Sequence, residues 1–154
     1  MSIPPSAYSA VPAEALAGKP VLDTINFIPQ RDGPIPELSD GQLSTSEVLQ
    51  RHLGTAHVVK VFDNITFWHL RSLARPPGAT DRSALPIAGD DPSAKAAVTA
   101  FLDAIGYDTV DAGTLSSGGR RFAFGTRGFV APYGGLNDER GTPADVLQSA
   151  PVAV

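Results

Sequence analysis

The sequence predicts an α/β protein, a mostly parallel sheet of about four strands with flanking helices. Three observations carry this. Short apolar runs rich in β-branched residues recur at 19–26, 58–62, 83–89 and 107–113. Stretches with helical spacing and their own start and stop signals separate them, and strands alternating with helices imply crossovers that leave neighbouring strands parallel. The run His57–Leu70, HVVKVFDNITFWHL, passes from a strand through the polar turn Asp63-Asn64 into the aromatic pair Phe67-Trp68. Open α/β sheets keep their ligands in such turns beyond the carboxyl ends of parallel strands.

Residues 6–16 are small and apolar and predict a short, weak helix stopped at Gly18. Lys19–Asn26 reads as a strand, and Phe27–Leu43, with its prolines, glycines and charges, as a long surface loop. Ser44 followed by Glu47 is a capping box ahead of the apolar spacing Val48, Leu49, Leu53, with Gly54 as the stop. Beyond Trp68 a helix continues until Pro76-Pro77 forbids it. Ser83–Gly89 is the third strand, and Pro86 places it near an edge or a bulge. Asp91 and Pro92 start a helix whose stripe Ala94, Ala97, Val98, Phe101, Leu102, Ile105 ends at Gly106. Tyr107–Gly113 is a fourth, more polar strand. The Gly/Arg-rich run that follows shows little period apart from Phe122, Phe124, Phe129 and Tyr133, and 136–154 reads as a flexible tail to a domain of 1–135.

The 154 residues suffice for about one domain with a real core. A net charge of −4 and a pI near 5.2 argue against a general nucleic-acid or membrane-surface role, and no apolar run reaches the roughly 20 residues a bilayer requires. With no cysteine there is no disulfide framework, thiolate metal site or Cys nucleophile, and the N-terminus lacks the features of a secretory signal; the expected compartment is the cytoplasm.

Asp63-Asn64 either presents polar groups to a ligand or forms an Asx turn of the kind many strand-to-helix links use. Phe67 and Trp68 either stack on a flat ring or serve as core and rim packing, which is the expectation for one of the two. Asn26, ending another strand, shares a rim with Asn64 if the two strands are parallel. His52, His57 and His69 lack metal-ligand spacing and read as helix-surface or strand-start residues, so no metal is expected. The stretch Ser116–Arg121, SSGGRR, has the look of a phosphate-binding loop, yet such turns are common on surfaces and no Walker or GxGxxG pattern accompanies it. Neither a GxSxG elbow nor an HExxH is present, and no catalytic acid or base stands out.

Five segments, Ser2–Pro4, Asp23–Pro29, Val58–Ile65, Ala88–Asp91 and Asp111–Leu115, occur in an order and spacing that resemble the C-terminal half of the F(420)H2:NADP oxidoreductase-like family. That nucleotide-binding fold also recurs in the cytoplasmic domain of the six-transmembrane ferric reductases. The resemblance implies a partial Rossmann-like fold over about residues 2–125 and hydride transfer between NADPH and a deazaflavin, flavin or small organic acceptor. It places Ser2, Ile3 and Ala7 in the turn after the fourth family strand, Asn26 at the end of the fifth, Asn64 and Phe67 beside the nicotinamide, and Trp68 where the ferric reductases approach their flavin. When hydride passes between two bound cofactors, the protein supplies placement rather than acid or base. The family's first half, with its glycine fingerprint and the residues that choose NAD or NADP, has no counterpart here. Strand 21–25 is therefore expected to be an apolar edge. Either a longer natural protein, a homodimer or a partner chain would cover it, and an in-frame GxGxxG upstream would establish the first. The alternative to the enzyme is a non-catalytic module that dimerises or docks through that edge.

Overall fold

In a computed structural model, residues 1–121, 123–126 and 129 are described; the expectations for Phe122, Tyr133 and the tail 136–154 lie outside them. Four strands, β1 (Pro20–Asp23), β2 (His57–Lys60), β3 (Ala84–Gly89) and β4 (Asp108–Asp111), form one sheet in the order β1-β2-β3-β4. β1 runs parallel to β2 and β3 parallel to β4, as expected for a mostly parallel sheet. The central pair departs from that expectation: β2 and β3 are antiparallel, joined through Val59 opposite Gly89 and Lys60 opposite Ala88.

Among the described residues six α-helices accompany the sheet: α1 (Ala13–Leu16), α2 (Pro29–Asp32), α3 (Pro36–Ser39), α4 (Thr45–Leu53), α5 (Phe67–Ser72) and α6 (Pro92–Ala104). The weak N-terminal helix resolves into a 3-10 turn, Pro5–Ala10, and the single turn α1, while the long loop 27–43 contains α2 and α3. At α4 the capping box forms in both directions, with Ser44 Oγ accepting from the Glu47 N–H and Glu47 accepting from the Ser44 N–H. Asp91 caps α6 by accepting from the Ala94 N–H at 2.7 Å.

Period-two alternation sends the strands' side chains to two apolar layers. Val59, Val61, Leu85 and Ile87 pack with Ala94, Val98 and Leu102 of α6. Val21, Ile25 and Val58 pack with Tyr8, Leu49, Leu53 and Leu115. β3 is interior and buried along its length, not at an edge. Proline is tolerated there because of its parity. The Ile87 carbonyl and the Gly89 N–H bond the β4 side, so Pro86 turns its missing N–H toward β2, at a level where β2 has already ended.

The segment after β4 folds into turns that need glycine for close approach. A Cβ on Gly118 would stand 2.3 Å from the Ala112 carbonyl oxygen, and one on Gly119 would stand 2.6 Å from that of Leu115. Backbone cannot yield as a side-chain tip does, so Gly118→Ala is expected to destabilise the protein by roughly 1–3 kcal/mol. Thermal unfolding followed by circular dichroism checks this: a drop of several degrees is expected.

Candidate functional site

The site is built where β1 and β2 end. Because they are parallel and in register, Asp23 lies beside Lys60, and both chains leave the sheet at the same rim. β2 stops there because Phe62 adopts φ 68°, a left-handed conformation that non-glycine residues rarely take. That bend carries Asp63 back over the strand end, where its Oδ2 meets Lys60 Nζ at 2.7 Å with both side chains fully buried. Lys60 Nζ also donates to the Ile25 carbonyl at 2.9 Å. Asp23 accepts from Ser46 Oγ at 2.6 Å and from the Ile25 N–H at 3.0 Å. Burial pushes both carboxyl groups up: Asp63 reaches about 7 against the pull of Lys60, and Asp23 rises for the same cause, opposed by Lys60 and by the Ser46 hydrogen bond. Sequence reasoning missed this cluster. Its signal was one charge of each sign, Asp23 and Lys60, set inside two apolar strand runs.

Asn26 and Asp63 do come together, since Asn26 Nδ2 donates to the Asp63 carbonyl at 3.2 Å. Asn26 Oδ1 accepts from the Phe124 N–H at 2.9 Å, so this amide pins the 123–126 turn to the β2 bend. Beside it lies a cavity of about 540 Å³, within the usual range for small-molecule sites. Ser2, Ile3, Thr24, Asn26, Arg31 and the aromatic rings Phe124 and Phe129 are among its walls. Those two rings meet edge to face, with centroids 5.2 Å apart.

The other expected site residues are placed differently. Ala7 sits in the 3-10 turn whose Pro4 and Ser6 border the cavity, but it does not border it. Asn64 is buried away from the cavity, and its Oδ1 meets no donor among the described residues. Phe67 and Trp68 stack on each other at 4.3 Å and remain 69% and 64% exposed, so the expectation that one of them packs into the core is not met. They open α5 on the chain that leaves β2, and neither borders the cavity. His69, expected on a helix surface, is buried.

Arg31 is held by its own neighbours, donating to the Asn26 carbonyl at 2.7 Å and pairing with Asp32 at 2.6 Å. In the SSGGRR stretch, Arg120 donates to the carbonyls of Gly41 and Gln42 and pairs with the Glu47 carboxylate at 3.2 Å, fastening the loop before α4. The cavity therefore offers hydroxyl groups, aliphatic side chains, two aromatic rings, the Asn26 amide and the Arg31–Asp32 ion pair. No group of three His, Asp or Glu side chains able to hold a metal occurs among the described residues, and no described helix is long and apolar enough to cross a membrane.

The fold is that of an α/β protein with Rossmann-like structural neighbours. Among solved structures the chain is similar to a hypothetical protein of Sinorhizobium meliloti, with a TM-score of 0.65 and 24% identity over 82% of this chain. It is also similar to a protein of Arthrobacter sp. FB24 provisionally described as an F(420)-dependent NADP-reductase, with a TM-score of 0.57 and 26% identity over 74% of this chain. The matched regions span 61% and 54% of those two chains. No family model and no curated protein matches the sequence.

Proposed function

We propose that this chain forms part of an NAD(P)-dependent oxidoreductase in which hydride passes between NADPH and a deazaflavin, flavin or small organic acceptor. The observation that carries this reading is the cavity at the shared carboxyl ends of the parallel strands β1 and β2, where such sheets receive their ligands. The likeness to the Arthrobacter protein supports it. When bound, the nicotinamide supplies the hydride chemistry; the chain's residues orient it and exclude water. Ser2, Ile3 and the Phe124–Phe129 pair would line the ring's seat, with Ala7 in the neighbouring 3-10 turn. Asn26 acts as a positioning residue, holding the Phe124 wall against the Asp63 bend. The exposed Phe67–Trp68 pair is the platform on which a second flat ring would approach.

Isothermal titration with NADPH tests the reading. Binding heat is expected, and Asn26→Ala is expected to weaken it roughly tenfold by releasing the cavity wall. Trp68→Ala should leave that affinity unchanged and slow hydride transfer to a flavin acceptor. Absence of heat with both NADPH and NADH overturns the proposal.

A further inference from the structure

The buried Asp23, Lys60 and Asp63 stand directly behind the cavity wall. Lys60 Nζ donates to the Ile25 carbonyl at 2.9 Å, and Thr24, Ile25 and Asn26 line the cavity. A short stretch of backbone therefore separates the ammonium group from a ligand seated there. The Asp63 bend reaches the same wall by a second route, through Asn26, which bonds the Asp63 carbonyl on one side and the Phe124 N–H on the other. Asp63 Oδ1 has no hydrogen-bond partner among the described residues, and burial of such an oxygen favours its protonated form. The other charges nearby change this little. The Arg31–Asp32 ion pair on the cavity wall is internally balanced, and the Met1 amino group lowers Asp23 less than Lys60, Ser46 or Ile25 does. The Tyr8 phenol, pushed up by its burial and by Asp23 and Asp32, stays neutral. As a proton on the carboxyl pair comes and goes, the cluster alternates between neutral and one unbalanced negative charge.

We propose, resting on the nicotinamide reading of the cavity, that this cluster selects the oxidation state of the ring: with its proton it suits the neutral reduced ring, and without it the cationic oxidised ring. The two rings are nearly the same size, so shape alone separates them poorly. Charge does better, because an opposite charge behind a buried wall is felt far more strongly than it would be through water. The effect is reciprocal: a cationic ring that prefers the deprotonated cluster drives the proton out to solvent as it binds. Lys60 and Asp63 are thus specificity-determining residues that act through the wall and touch no reacting atom. With Asp63 raised to about 7, the exchange falls between pH 6 and pH 8.

Isothermal titration with NADP+ and with NADPH at pH 6 and pH 8 provides the test. Both forms carry the same phosphate groups, whose own titration cancels in the ratio of the two affinities. From pH 6 to pH 8 that ratio is expected to shift toward NADP+ by roughly fivefold or more, the scale of a typical coupling between sites. Asp63→Asn, which leaves Lys60 balanced by Asp23 alone, should hold the ratio at its pH 6 value throughout. In buffers of different ionisation enthalpy at pH 7, the unsubstituted chain should release more protons with NADP+ than with NADPH, and that difference decides if the variant does not fold. Equal proton release, a ratio that is flat or moves toward NADPH, or an undiminished shift in Asp63→Asn would overturn this role of the cluster while leaving nucleotide binding intact. Absence of heat with both forms at both pH values would overturn the nicotinamide reading, and the selection with it.

Discussion

Replacing Lys60 by methionine is expected to destabilise the protein by about 3–5 kcal/mol at pH 8, the usual penalty for stranding a buried charge. The ammonium group is fully buried, pairs with Asp63 and acts on Asp23, so its loss leaves two carboxyl groups without their counter-ion away from water. It also frees the Ile25 carbonyl, whose remaining partner is the Thr45 hydroxyl at 3.1 Å. Urea unfolding followed by circular dichroism measures the effect. The double change Lys60→Met with Asp63→Asn should recover a good part of the loss, because it removes one stranded charge together with its partner. An unchanged urea midpoint for the single variant would show that water reaches this cluster.

The second large effect is a pH dependence of unusual sign. One ammonium faces two buried carboxyl groups, so one negative charge remains unbalanced, and burial favours a proton on the carboxyl pair. Its folded-state value lies near 7, above the ordinary carboxylate value of an unfolded chain. The folded state therefore binds more protons than the unfolded state between about pH 4 and pH 7. By linkage its contribution to stability is complete below that window and is lost as pH rises through 7, an effect on the order of 4 kcal/mol. Asp23, shifted in the same direction, adds to the trend. Unfolding free energies at pH 5 and pH 8 should thus differ by several kcal/mol in favour of pH 5. Asp63→Asn is expected to match the parent at pH 5 and exceed its stability at pH 8. Greater stability of the parent at pH 8 would mean that the Lys60 attraction outweighs desolvation.

The elements that were legible in the sequence are those specified by near neighbours. Ser44 with Glu47, and Asp91 with Pro92, begin α4 and α6 where the chain places them, because an N-cap acts on amides three residues away. The apolar runs give all four strands for the same reason, with most ends shifted by a residue or more. The meeting of Asn26 with the Asp63 bend was also foreseeable, given parallel pairing of the strands that carry them. Pro86 misled as to the place of β3, since the parity of its backbone relative to β2 is a property of register, not of composition.

By itself, then, the sequence determined the α/β class, the capped helices and the lip on which Asn26 and Asp63 meet, because periodicity and capping act within a few residues along the chain. Only the tertiary structure decided that β3 runs against β2, that Lys60 is sealed between Asp23 and Asp63, and that Phe67 and Trp68 stand in solvent. Each of these depends on groups brought together across tens of residues. Their energies are set by desolvation and strand register, quantities with no value until the chain has closed on itself.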